Sequence, residues 1–462
     1  MKDPVHIANF TKEKIHFIGI GGISMSGLAE ALLEKGYTIS GSDVQDSALL
    51  GRLRGKGAMV FVGHAASQVD GATLVVYNSA IDADNPEMTR AQGAGIPLME
   101  RAVLLGQLMQ AYPRAIGVCG THGKTTTTSM LATVLHLCGA DPTVHIGGEL
   151  PLLGGATHVG GNEIFLTEAC EYCDNFLSLH PTDAVLLNID ADHLDYFRDL
   201  DHICDSYSAF LRLLPADGNC VANGDDAEVE HVVLQAACPV VTFGLEEENT
   251  WRAVSIRANE DGCYSFAVLF LDEPVAELTL AVPGKHNIYN ALAALAMAYE
   301  CGIAPKDSTH ALAQYTGAKR RFERIGEVNG AEVYHDYAHH PAEIRASLAA
   351  ARARAKQNLW CVFQPHTYSR TKALFQEFTA CFAAADRLVL LDIYAAREPD
   401  PGDIHANRLV SEVEKPTDAR YAASFEDAIQ LLQAEVRPGD LILTLGAGSI
   451  DQLTNKLVGK AE

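Results

Sequence analysis

Lys124 and Thr125 put a full positive charge and a hydroxyl side by side, directly behind two glycines, in the run Gly120-Thr121-His122-Gly123-Lys124-Thr125-Thr126. Those residue types at that spacing suit an anion. Glycines let consecutive N–H groups face inward, a following helix adds the positive end of its dipole, and the ammonium balances phosphate charge. The Thr125 hydroxyl is a Mg²⁺ ligand by type. The full Walker pattern asks for a glycine six residues before the lysine, and Val118 stands there, so the shorter GxxGKT form alone is met. A plain strand-to-helix turn has no use for such a run.

Chemistry of this kind needs elements to aim it. Residues 114–119 form an apolar strand before the run, and residues 129–136 continue a helix after it. Two further apolar strands, 163–167 and 184–190, end in acids where open α/β sheets bind ligands. The first delivers Glu168 and Glu171; the second delivers Asp192, His193 and Asp195. Each acid could complete a Mg²⁺ shell, and each taken singly also suits a solvated loop or helix cap. Residues 282–287 precede a strongly helical stretch, 288–299.

The flanking parts repeat the βα rhythm. At the start, strand 14–20, a glycine loop 19–27 and helix 28–35 lead to strand 37–40 and Gly41-Ser42-Asp43. That is a Rossmann-like opening whose GxGxxG pattern fails at Ser24, which makes it weak evidence for a nicotinamide cofactor. Strands 58–62, 73–79 and 96–99, with helices 87–92 and 101–110, complete the unit at Tyr112-Pro113. After residue 316 comes the basic run 317–324, then strand 332–334, the segment 335–341 and a helix to 355. Strands 359–363, 387–393 and 441–444 follow, with 364–371 and 394–398 at their ends. The alternation predicts an α/β chain of three successive units, 1–112, 113–316 and 317–462.

With 462 residues the chain is too long for one core. Its 59 acidic against 35 basic residues give a net charge of -24, which argues against nucleic acid and anionic membrane surfaces as partners. An anionic substrate must then be captured by local charge. Residues 1–10 lack a signal-peptide core and no run reaches membrane-spanning length, so a cytoplasmic protein is expected. Eleven cysteines read as reduced thiols. Cys170 and Cys173 form a CxxC without a second pair, which suits site-wall residues. His335, His339 and His340 lack the HExxH glutamate and are interrupted by Pro341, which suits a solvated or substrate-facing cluster.

The blocks HFIGIGGISMSGLAEAL, GTHGKTTTT, TEACEY, NIDADHLDYF, PGKHNIYNA, RRFERIGEVNG, HDYAHHPAEI and FQPHTYSRT, in this order, resemble the Mur ligase family over nearly the whole chain. The resemblance implies an N-terminal Rossmann-like domain for a UDP-sugar, a central P-loop ATPase-like domain and a C-terminal Rossmann-like domain. It implies an ATP-dependent ligase that joins L-alanine to the carboxylate of UDP-N-acetylmuramate in peptidoglycan precursor synthesis; monomer and homodimer both stay open. A relative that attaches a recycled murein peptide to the same UDP-sugar is the near alternative; a nicotinamide oxidoreductase is the distant one, and it has no need of Lys124.

A carboxylate does not condense with an amine directly because oxide is a poor leaving group. It must first take the γ-phosphoryl group of ATP. By the resemblance, residues 120–126 cradle the polyphosphate, Lys124 stabilises the transferring group, Thr125 and Glu168 hold one Mg²⁺ and His193 supports a second. Asn287, Arg321 and Asp336 contact ATP; Tyr337, His339 and Arg370, with His366 a weaker candidate, meet the amino acid. Gly19, Gly21 and Gly22 take the UDP pyrophosphate, with Ser42 and Asp43 near the uridine. Cys170 and Thr367 replace an aspartate and an arginine common in relatives, which puts amino-acid selectivity in question.

Overall fold

Apolar runs alternating with helices become three sheets in chain order, in a computed structural model that describes residues 5–10, 13–396 and 398–460. Residues 1–4 of the N-terminal stretch read above, and Arg397 of segment 394–398, lie outside the described residues. The first sheet has five parallel strands. Lys14–Ile18 is central, with Thr38–Asp43 and Met59–Val62 on one side and Leu74–Tyr77 and Leu98–Glu100 on the other. Ile15, Phe17 and Ile18 are wholly buried, as expected of a parallel strand covered on both faces. The first helix starts earlier than the glycine and serine content suggests: it spans Ile23–Glu34. Met25, Leu28, Ala29 and Leu32 form its buried face, and that helical periodicity overrides two serines that favour loops.

The second sheet is built around Arg114–Cys119, paired in parallel with Asp183–Leu186 and Ile164–Glu168. It extends through Asn219–Asn223 and Val240–Gly244 to Trp251–Ala258, then turns antiparallel in Cys263–Phe270 and Glu273–Pro283. The opposite edge is Thr143–Leu150 and Gly155–His158. The antiparallel edge is not among the strands expected from the sequence, because its strands mix buried and exposed residues instead of forming continuous apolar runs. The strand expected over 184–190 ends at Leu186. Beyond it the chain leaves the sheet, and the Asn188 carbonyl accepts from the Thr121 N–H at 3.0 Å.

The third sheet centres on Leu441–Leu445, between Ala331–Asp336 and Leu359–Phe363, with Arg387–Leu390 and Asp418–Tyr421 beyond and antiparallel Glu323–Val328 at the other edge. Its two apolar layers draw on residues of this sheet and its helices alone. By contrast, one apolar cluster runs from Ile7, Leu28 and Leu105 to Phe176 and Phe210, so the first two sheets share a core. Among the described residues no helix is long and apolar enough to cross a membrane.

The first helix lies so close to the hairpin strand Gly155–His158 that a Cβ on Gly27 would stand 2.0 Å from Thr157 Oγ1. His145 is buried in this seam, with Nε2 2.8 Å from Ser24 Oγ and Nδ1 3.2 Å from Thr157 Oγ1, while Arg101 donates to Ser24 Oγ at 3.0 Å. Burial, then the Arg101 charge, push its pKa down to about 3. It is neutral in the folded chain and charges near 6.5 when unfolded. A depressed histidine contributes stability that is present above the unfolded value and lost as pH falls, here between about 6.5 and 3, by up to about 1.4 kcal/mol per pH unit. Chemical denaturation of His145→Gln at pH 7 and pH 5 is expected to show a shallower acid loss than the parent; parallel losses would exclude His145 as a source.

Candidate functional site

The phosphate loop is held from behind. Asn188 accepts from the His122 N–H at 2.8 Å through its side chain and returns a bond to the His122 carbonyl at 3.0 Å. With Thr121 and His122 thus committed, and the first intrahelical bond running from Thr127 N to Gly123 O, residues 123–126 have the N–H groups left to meet an anion. Within the cradle expected over 120–126, the Thr121 and His122 N–H groups are thus bonded to Asn188. Gly123 is left-handed, at φ 86°, and caps helix Lys124–Leu137; Gly120 lies behind the loop, where a Cβ would stand 2.9 Å from the Leu187 side chain.

Lys124 Nζ donates to Gly120 O at 2.5 Å, to Thr121 O at 3.0 Å and to both oxygens of the buried Glu171 at 2.8 and 3.0 Å. Burial would favour the neutral amine, but Glu171 outweighs it and the pKa is raised. Glu171 also lies 3.8 Å from His193 Nε2, which is 3.8 Å from Asp192. His193 is left-handed, at φ 53°, with its N–H bonded to Asp192 Oδ1 at 2.7 Å. Thr125 Oγ1 donates to Glu168 Oε2 at 3.1 Å, and Glu168 Oε1 accepts from the Gly147 N–H at 2.6 Å.

Arg321 reaches across from the third sheet and donates to Thr125 Oγ1 at 2.9 Å. Its neighbours Arg320 and Phe322 are left-handed, at φ 61° and 49°, a costly conformation for such side chains. Asp336 explains how that turn is kept: its carboxylate accepts from Phe322 N at 3.2 Å, Ala338 N at 2.9 Å and Ser347 Oγ at 3.1 Å. Burial raises its pKa, against the pull of Arg321. The Tyr337 ring carries both guanidinium groups, Arg320 at 4.8 Å and Arg321 at 5.0 Å from its centroid. Arg370 Nε donates to Asp192 Oδ1 at 3.0 Å, and its Nη1 lies 3.3 Å from His366 Nδ1.

Two cavities, of about 690 and 710 Å³, open on either side of Gly123, Arg321 and Glu343. Thr126, Asn287 and Asp336 line the first, with His122 at its edge. Asn287 is locked, donating to Pro283 O at 2.7 Å and accepting from Asn290 at 2.9 Å. Lys124, Thr125, Glu168, Cys170, His193, Tyr337, His339, His366 and Arg370 line the second. The three histidines of segment 335–341 diverge. His335 is buried against Thr444 Oγ1 at 3.0 Å, His339 faces the second cavity and His340 caps helix Pro341–Arg354.

The first domain brings Ile23 to the second cavity. Gly19 and Ile20 N–H groups donate to Ser42 O at 2.8 and 2.9 Å, Gly22 N to Gly19 O at 3.3 Å, and Gly21 N to Asp43 Oδ2 at 2.9 Å. The loop thus satisfies itself, and the free N–H groups belong to the first turn of Ile23–Glu34. Ser42 is fully buried, its hydroxyl shared between Glu87 Oε2 at 2.5 Å and His64 Nδ1 at 2.9 Å. It supports the loop from inside.

Asn188, Asp190 and Glu343 have no role assigned from the sequence, and Glu171, offered there as a Mg²⁺ acid, is instead the partner of Lys124. Glu343 was detectable as the third residue after His340 ahead of an apolar run, the capping-box spacing. The others act through contacts 47 to 68 residues away in sequence, which no local pattern reports.

Three family profiles match in order: the Mur ligase family catalytic domain over residues 14–113, the Mur ligase middle domain over 118–298, and the Mur ligase glutamate ligase domain over 320–448. A UDP-N-acetylmuramate–L-alanine ligase of Acetivibrio thermocellus is 48% identical over 94% of this chain and 93% of its own. A UDP-N-acetylmuramate-alanine ligase of Thermotoga maritima has a similar structure, with a TM-score of 0.82, 27% identity and coverage of 97% of this chain and 98% of the other. A murein peptide ligase of Psychrobacter arcticus follows at a TM-score of 0.75 and 25% identity, with the same coverage.

Proposed function

The chain belongs to the Mur ligase family, and from that premise we infer that it is an ATP-dependent ligase joining L-alanine to the carboxylate of UDP-N-acetylmuramate in peptidoglycan synthesis. The observation that supports this reading is a glycine-capped helix start whose Lys124 opens on a second cavity lined by cations from another domain. The nicotinamide oxidoreductase is set aside. The chain matches ligases along its length, and Asp43 spends a carboxylate oxygen on the glycine loop itself.

In the chemistry proposed, the sugar carboxylate oxygen attacks the γ-phosphorus, ADP leaves, the amine attacks the acyl carbon and phosphate leaves with the former carboxylate oxygen. The N–H groups of 123–126 and Lys124 face the polyphosphate and stabilise charge as it shifts. Arg321 adds a planar fork at the boundary of the two cavities. Nucleotide fits the first cavity, between Asn287 and the turn that Asp336 holds. Arg370 supplies the cation for the alanine carboxylate, beside Tyr337 and His339. The UDP pyrophosphate fits the first turn of Ile23–Glu34, with Gly19, Gly21 and Gly22 shaping the approach.

Thr125 Oγ1 and Glu168 Oε2, 3.1 Å apart on the cavity wall, are the hard oxygen donors that suit Mg²⁺, and His193 is the candidate for a second ion. Bound there, Mg²⁺ would neutralise polyphosphate charge. Phosphate release is expected to need ATP, Mg²⁺, UDP-N-acetylmuramate and L-alanine together. Equal release without the sugar nucleotide would overturn the ligase reading, and release with a murein peptide but not with L-alanine would move it to the peptide-ligase alternative.

A further inference from the structure

His122 stands at the seam between the phosphate loop and the C-terminal domain with both ring nitrogens engaged. Nε2 lies 3.0 Å from Asp190 Oδ2, and Nδ1 lies 3.2 Å from Glu343 Oε1. A neutral imidazole has one N–H to give; only the imidazolium donates to two carboxylates. Burial opposes that charge, but the bonds to Asp190 and Glu343 outweigh it and hold the pKa at about 9. Asp190 is correspondingly pulled down to about 2 by the His122 bond.

Glu343 uses its other oxygen on the backbone just before its own helix. Oε2 accepts from His339 N at 3.1 Å and His340 N at 3.3 Å, closing the first turn of Pro341–Arg354. The same side chain borders both cavities, next to Arg321. One half-buried carboxylate therefore joins the tip of the loop to the segment that carries His339. Among the described residues no apolar cluster spans this seam, which leaves polar bridges of this kind to hold the third domain against the loop.

We propose that Glu343 is a positioning residue of the ligation site, which docks the C-terminal domain on the phosphate loop by gripping His122. Its kinetic consequences rest on the ligase reading; its effect on nucleotide binding does not. Asp190, Glu343 and His340 face His122, with the two imidazole centroids 4.8 Å apart. Behind Glu343 stand Arg321, His339 and His286, and burial holds the two histidines near 4, neutral at physiological pH. The titration of the bridge is then that of His122. Its folded pKa is raised, so the bridge is complete at neutral pH and is lost as pH rises through about 9.

Glu343→Gln removes the charge while keeping an acceptor at the capping position. It should raise KM for ATP about tenfold, the scale of one charge-assisted hydrogen bond, with a smaller change in kcat. The alkaline limb of kcat/KM for ATP should also move from about 9 toward neutral pH, because His122 has lost one of its two acceptors. Glu343→Asp should recover part of both effects. Wild-type KM together with a wild-type alkaline limb in Glu343→Gln would overturn the proposal. Calorimetric titration with ADP separates this from the ligase reading. If the parent chain ligates nothing, that reading fails, while equal ADP affinity of parent and Glu343→Gln at pH 7 and at pH 9 would still overturn the bridge. Should Glu343→Gln not fold, His122→Asn tests the other end: ADP binding weaker than the parent's at pH 7 and constant to pH 9 is expected, and parental affinity would overturn it.

Discussion

Lys124→Met is expected to lower turnover by on the order of 10² to 10³ and, separately, to destabilise the folded chain. The two effects have different origins. Turnover falls because the ammonium is a full positive charge at the helix start of the loop, in place before the reaction begins. Stability falls because the lysine leaves Glu171 behind: its side chain is 3% exposed and directs both oxygens at Nζ. Truncating one partner of a buried pair typically costs about 3 to 5 kcal/mol, since the other charge is left uncompensated. The double variant Lys124→Met/Glu171→Gln should therefore regain most of the lost stability and none of the lost activity. Denaturant unfolding with phosphate-release assays on both variants checks this. A double variant as unstable as the single would mean that Glu171 is not the source, and unchanged turnover in the single would remove Lys124 from the phosphoryl site.

The loop, the strand end at Glu168 and the three α/β units were legible because each is local: an apolar run, a glycine turn and a helix start lie within about fifteen residues of one another. What held them in place was not. Asn188 shapes the loop from a segment that reads as the tail of a buried strand, since Leu187 and Ile189 prolong the apolar run past Leu186. Asp336 was read as a nucleotide contact, and its visible work is to hold the left-handed turn that carries Arg321, a strain that composition does not announce. The glycine loop of the first domain has the residues of an anion cradle, yet its N–H groups are bonded to Ser42, Asp43 and Gly19. Residue type indicates which groups can bind; only the fold decides which of them are already bonded.

Arg370→Ala is expected to lower kcat/KM for L-alanine by on the order of 10² or more while leaving KM for ATP within a few-fold. Arg370 belongs to helix Tyr368–Ala373 of the C-terminal domain, and its Nε meets Asp192 at the strand end of the middle domain. The two side chains are 10% and 8% exposed. Burial alone would raise the Asp192 pKa, but Arg370, then His193, hold it far below the usual carboxylate range. An alanine carboxylate entering the second cavity would compete with Asp192 for the same guanidinium, so the pair sets both the affinity and the geometry of the incoming amine. Arg370→Lys keeps the charge and loses the planar fork, and a penalty of about tenfold should remain. Asp192→Asn should release Arg370 and lower KM for L-alanine, unless docking of the helix is the main use of the pair. Kinetics with L-alanine, glycine and L-serine at saturating ATP decide between these roles. If Arg370→Ala raises KM for ATP as much as KM for L-alanine, the pair is a domain clamp. If the alanine term alone moves, Arg370 is the carboxylate site, and Thr367 and Cys170 are the places to look for selectivity.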